Sequence, residues 1–159
     1  MRFPALAFAL AILAASGAAF SACAASAPHV ARFEPADRAA IAAVLDRQAE
    51  AWNRGDLAAY MDGYARTTAL VFTSGGNVRR GWQAAFDHFQ ARYATDPKAM
   101  GTLAFHVDSI DAVGADGAVV LGRWELTNSA NGGHGVFSIV LERRTEGWRI
   151  VHDHTSLGS

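Results

Sequence analysis

The sequence predicts an α+β domain: three N-terminal helices packed against one face of a curved, mainly antiparallel sheet. In the first half, apolar residues recur at three- and four-residue spacing; the second half divides into four β-prone runs, each bounded by a turn-forming cluster. Asp37 follows Pro35, and Ile41, Val44, Leu45, Gln48 and Trp52 then repeat at helical spacing until Gly55 stops the helix. Asp56 caps a second helix with Leu57, Tyr60, Met61 and Tyr64 on one face. Ala69 to Thr73 is apolar and β-prone, and Ser74-Gly75-Gly76-Asn77 turns it into a short strand around Val78. From Trp82 a helical stripe returns through Ala85, Phe86, Phe89 and Tyr93, ended by Asp96-Pro97. Four strands follow, at about 102–113, 118–128, 134–144 and 148–156, separated by Gly114 to Gly117, Ser129 to Gly133 and Thr145 to Gly147.

With 159 residues, 51% hydrophobic and 18% charged, the chain suits one domain with a real core. Lys and Arg number 14 against 15 Asp and Glu, and no basic run exceeds Arg79-Arg80 or Arg143-Arg144. Nucleic acid is therefore not an expected partner, because phosphate binding needs a concentrated positive patch. Residues 1–27 read as a signal peptide, with Arg2, an apolar run from Phe3 to Leu13 and small residues after it. That run is shorter than the ~18 residues of a spanning helix, so the mature domain, 28–159, is expected in the periplasm or outside the cell. Phe20-Ser21-Ala22-Cys23 resembles a bacterial lipobox, which implies a lipid anchor on Cys23; cleavage after Ala24 or Ala25 would discard that residue, and both readings stand. As Cys23 is the only cysteine, no internal disulfide can form and stability rests on packing.

The closing stretch carries the candidate chemistry. Strict alternation places Trp148, Ile150, His152, His154 and Ser156 on one strand face, and Arg149, Val151, Asp153 and Thr155 on the other. A face that begins apolar and ends polar suits a strand running from a closed core to the mouth of a pocket. His152 and His154 are spaced to reach one ion or one substrate, but no third ligand has a matching spacing, so neither a metal nor a cofactor is expected. His154 is the candidate acid/base, against the alternative of an imidazole hydrogen-bonded at the pocket mouth. His106 shares a face with Asp108 and is a candidate to join it. Two or three of Trp52, Trp82, Trp124, Tyr60, Tyr64, Phe86 and Phe105 are expected to reach the pocket, the rest being core. A phosphate-binding glycine loop, a nucleophile elbow and a cysteine nucleophile are all missing from the sequence, which removes most hydrolase and nucleotide-binding classes.

The order of elements, the phrase Ala51-Trp52-Asn53-Arg54-Gly55-Asp56 with Tyr60, and the closing Trp148-x-x-Val151-His152-x-His154-x-Ser156 resemble the nuclear transport factor 2-like superfamily. Within it, the chain is similar to SnoaL-like and domain-of-unknown-function-4440 members over about Ala39 to Ser156. Gly76-Asn77-Val78 with Gly81, and the closing phrase, are also similar to the association domain of calcium/calmodulin-dependent kinase II. The resemblance implies a cone-shaped roll in which a strongly bent sheet wraps around the helices, with a cavity at the open end and frequent dimerisation through the outer sheet face. It implies no single function, since members include isomerases, dehydratases, cyclases, carriers and assembly domains. It also implies a pocket role for Arg123, suited to carboxylate-bearing ligands; an exposed or dimer-face arginine paired with Glu125 or Glu142 is the alternative. Proton-shifting enzymes of the superfamily often carry an acid near the start of the first strand, where this chain reads Arg66-Thr67-Thr68-Ala69.

The resulting expectation is an exported domain that binds a small, partly apolar organic ligand, or serves as an assembly module. His152, His154, Arg123, Trp124, Tyr60, Tyr64 and His106 are the expected ligand-binding residues. The alternative is a cofactor-independent isomerase, dehydratase or cyclase, with His154 as acid/base and Arg123 or a tyrosine hydroxyl stabilising negative charge. A homodimer is expected because Val119-Val120-Leu121 and Phe137 to Leu141 need cover on both sheet faces.

Overall fold

A computed structural model describes residues 32–93 and 100–158. The expected signal peptide with Cys23, and the Asp96-Pro97 stop of the third helix, lie outside them. Helix α1 (Pro35–Asn53) starts with proline at its first turn, and the Asp37 carboxylate accepts the Glu34 backbone N–H at 2.8 Å. Asp37 is itself pinned from the far end of the chain. Arg143 donates to both its oxygens, at 2.6 and 2.8 Å, and the Trp148 indole N–H donates at 3.3 Å. These bonds hold the Asp37 pKa down to about 2, the Arg143 bond being the largest cause, and they tie the helix start to the last two strands.

The buried stripe of α1, Ile41, Val44, Leu45, Gln48 and Trp52, is the one its spacing predicts. Gly55 takes a φ of 75° at the break, and Asp56 caps α2 (Leu57–Met61) by accepting the Ala59 N–H at 3.0 Å. Helix α2 is shorter than its apolar spacing suggests, and Tyr64 lies beyond it. The chain there is captured by the last strand: Ile150 N–H donates to Gly63 and Ala65 N–H donates to Ile150, each at 2.9 Å. Gly63 permits this because any Cβ would come within 2.5 Å of the Gln48 side chain.

Strands β1 (Val71–Ser74) and β2 (Asn77–Arg80) form the small hairpin, followed by α3 (Trp82–Tyr93). Strands β3 (Thr102–Val113), β4 (Gly117–Thr127), β5 (Gly133–Arg144) and β6 (Gly147–Leu157) form the meander. The sheet order is β2-β1-β6-β5-β4-β3, antiparallel throughout except where β1 runs parallel to β6. Bulges at Asp108 in β3 and Val151 in β6 add one residue each to their strands, which increases local twist and curvature around the helices.

The β6 bulge corrects the expected facing of the closing strand. Ile150 pairs with Leu141 but His152 pairs with Val140, so Val151 is the extra residue and the alternation changes phase across it. Trp148 and Ile150 face inward as expected. Beyond them Asp153 and Thr155 face inward, while His152 and His154 turn to the outer face, with His154 exposed.

Candidate functional site

The phase change places a carboxyl group where the sequence predicts an imidazole. Asp153, 5% exposed, stands opposite Ile139 on the concave face and lines a cavity of about 270 Å³ between the sheet and the helices. The hydroxyl of Tyr64 donates to Asp153 Oδ2 at 2.7 Å and that of Thr155 donates to Oδ1 at 2.9 Å. The Tyr60 hydroxyl lies 3.4 Å from that of Tyr64, a long contact that leaves it able to bond a ligand. Tyr60 is fixed from α1, where the Gln48 amide donates to its carbonyl at 3.0 Å.

Burial sets the protonation of this floor. It raises the Asp153 pKa above the ordinary carboxylate range, against the opposing effect of the Tyr64 and Thr155 hydrogen bonds. It also pushes both tyrosines up, and the Asp153 charge adds to that effect. The arrangement is a short chain of exchangeable protons, Tyr60 to Tyr64 to Asp153, closed to bulk water at its inner end.

Aromatic rings form the walls. Trp52 meets Tyr60 edge-on at 5.0 Å, Phe89 meets Tyr60 and Phe72 at 5.4 Å each, and Phe105 meets Phe137 at 5.5 Å. Trp124 lies over Gly135 and donates its indole N–H to the Ser156 carbonyl at 3.2 Å, a packing that any side chain at 135 would obstruct. The rim is more polar and open: His88 and Arg92 of α3, Gly75 of the β1–β2 turn, Asn131 and the exposed Leu157. The guanidinium of Arg92 donates to Asn131 Oδ1 at 3.1 Å.

Of the sequence-predicted residues, Tyr60, Tyr64 and Trp124 meet at this cavity. Five of the seven candidate aromatics line it, more than expected, while Trp82 and Phe86 stack on each other at 5.0 Å outside it. His106 and Arg123 pair across β3 and β4 on the outer face, where both are exposed, and Arg123 bonds Asp108 at 2.9 Å rather than Glu125 or Glu142. They share an outer depression with His134. Among the described residues, no group of three His, Cys, Asp or Glu side chains is placed to hold a metal ion. Sequence reasoning missed Asp153, His88, Arg92 and Asn131. A signal for the first existed in the adjacent apolar pair Ile150-Val151, which interrupts a strict alternation.

The model of the SnoaL-like domain matches residues 41–158. The chain belongs to that family. A solved structure of an NTF-2 like protein of unknown function from Shewanella oneidensis is 36% identical, covering 75% of this chain and 98% of its own, with a TM-score of 0.71. A ketosteroid isomerase-like protein from Erwinia carotovora atroseptica shares the fold at 18% identity, covering 80% of this chain and 99% of its own, with a TM-score of 0.62. A putative calcium/calmodulin-dependent protein kinase type II association domain from Thiobacillus denitrificans does so at 18% identity, covering 74% and 94%, with a TM-score of 0.62. The curated proteins contain no match to this SnoaL-like domain.

Proposed function

We propose that this SnoaL-like domain binds a small, partly apolar organic molecule in the cavity above Tyr60, Tyr64 and Asp153. One observation carries the reading: an aromatic-walled cavity ends on a single buried acid that is already hydrogen-bonded, with the neighbouring Tyr60 hydroxyl left to meet a ligand. The rings of Trp52, Phe89 and Phe105 take the apolar body, and the Tyr60 hydroxyl takes one polar atom. Asp153 favours a second reading, cofactor-independent isomerase, dehydratase or cyclase chemistry. An acid whose neutral form is stabilised by burial is poised to exchange a proton with a bound carbonyl or hydroxyl through Tyr64. This moves the acid/base role from His154 to Asp153.

Export is part of the proposal, resting on residues 1–27, with lipidation of Cys23 as its membrane-attached form. So is a homodimer through the outer sheet face, supported by the exposed aliphatic side chains of Val78, Leu121 and Val136. The ligand proposal is tested by mass spectrometry of small molecules released on denaturing the purified mature protein. A common organic component should appear with the wild type and be depleted in Tyr60→Phe. Equal recovery from both proteins would count against the cavity.

A further inference from the structure

We infer that the ligand of this cavity is a small organic anion, an aryl or alkyl carboxylate, held with its charged end at the rim against Arg92 and its apolar body inward. The inference rests on the cavity reading above and adds the ligand's charge and direction. The cavity is electrically lopsided. Besides its tyrosines, its ionisable lining is Asp153 at the floor and His88 and Arg92 toward the rim. Arg92 is exposed, and its side-chain partners are neutral, Asn131 Oδ1 at 3.1 Å and the Tyr93 ring at 5.7 Å; no carboxylate lies within ion-pair distance of it among the described residues. A second guanidinium stands nearby. Arg79 pairs in the sheet with inward-facing Phe72, and its Nη1 is buried with no hydrogen-bond partner. Burial lowers the His88 pKa, and the charges of Arg79 and Arg92, which both bear on it, add to that effect. Two guanidinium charges, neither within ion-pair distance of a carboxylate among the described residues, therefore stand beside His88 at one end, an arrangement that favours an incoming anion.

The opposite end cannot take that charge. Asp153 is buried, and a second negative group beside it would be repelled by its ionised form and poorly solvated by the aromatic walls. A cation at the floor would suit an ionised Asp153, but it would have to pass the positive rim. Between the two ends the rings of Trp52, Phe72, Phe89 and Phe105 offer apolar surface and ring edges.

The test uses three probes of one shape, 3-phenylpropionate, 3-phenylpropan-1-ol and 3-phenylpropylamine, titrated calorimetrically into the mature domain and its Arg92→Gln variant. The propionate should bind at least about tenfold more tightly than the alcohol, as expected for one charge-assisted hydrogen bond, and the amine should bind weakest. Arg92→Gln should bring the propionate to the affinity of the alcohol while leaving the alcohol unchanged; circular dichroism checks that this exposed substitution keeps the fold. Equal binding of acid and alcohol, or a preference that survives Arg92→Gln, overturns the anion inference and leaves the cavity reading standing. Failure of all three probes to bind overturns both.

Discussion

At the scale of single residues, Asp153 is the group whose surroundings most constrain its chemistry. Its pKa is raised by burial, so the folded state favours the protonated acid relative to the unfolded chain. The stability it contributes is fully present below the unfolded value, about 4, and is lost as pH rises through the higher folded value. Thermal unfolding followed from pH 4 to 8 should show this decline in the wild type, and Asp153→Asn should remove that component while keeping an oxygen to accept from Tyr64. A decline unchanged in Asp153→Asn would mean that the carboxyl is ionised throughout. Tyr64→Phe strips one of the two donors from the buried acid and should destabilise the fold by about 1–3 kcal/mol in denaturant titrations. These roles were hidden in the sequence for a local reason. Asp153 sits between two histidines in an alternating run, and alternation alone sends it outward.

At the scale of elements, most of the architecture was legible because turn chemistry and period agree along the chain. Gly114 to Gly117 and Thr145 to Gly147 are turn-forming and bound strands with strong β propensity, and the observed limits of β3 to β6 follow them to within a residue or so. Two features escaped. Helix α2 ends early because backbone bonds to Ile150, distant in sequence, outcompete another helical turn, and β6 changes face at Val151 because strand period says nothing about an inserted residue. The bulge makes a sharp comparison within one strand. Trp148, buried against α1, should cost about 3–5 kcal/mol when replaced by alanine, whereas His154→Ala, on the exposed outer face, should stay within about 0.5 kcal/mol and leave cavity binding intact. Loss of probe binding in His154→Ala would return the acid/base role to the imidazole. The start of α1 gives the opposite pH signature to Asp153. The Asp37 pKa is depressed to about 2, so its contribution is present above about 4 and is lost as pH falls toward 2. Asp37→Asn should lower the melting temperature at pH 7 and flatten the acid limb of the stability profile.

At the scale of the whole molecule, the cavity brings together all three helices, β1 and the last four strands, and no spacing rule links His88 or Arg92 to Asp153 in advance. What the sequence does carry is the two-sided character of the sheet. The concave face is filled by Phe137, Ile139, Leu141 and Ile150 packing on the helices, which accounts for one set of apolar positions. The other set has no cover among the described residues: Leu121 is 46% exposed and Val136 50%, with Val119 and Val140 half-buried on the same outer face. A patch of this kind on the central strands is what a second copy of the chain can cover, and the surrounding His152, His154 and Ser138 can bond across such an interface rather than oppose it. Light scattering at micromolar concentration should therefore give a dimer. Leu121→Lys with Val136→Lys should convert it to a monomer, because two desolvated ammonium groups per chain would otherwise be buried against aliphatic neighbours. Both side chains point away from the cavity, so the monomeric variant should still bind 3-phenylpropionate. A wild type that scatters as a monomer would remove the dimer, while a variant that loses probe binding would show that the two sheet faces are coupled through the strands they share.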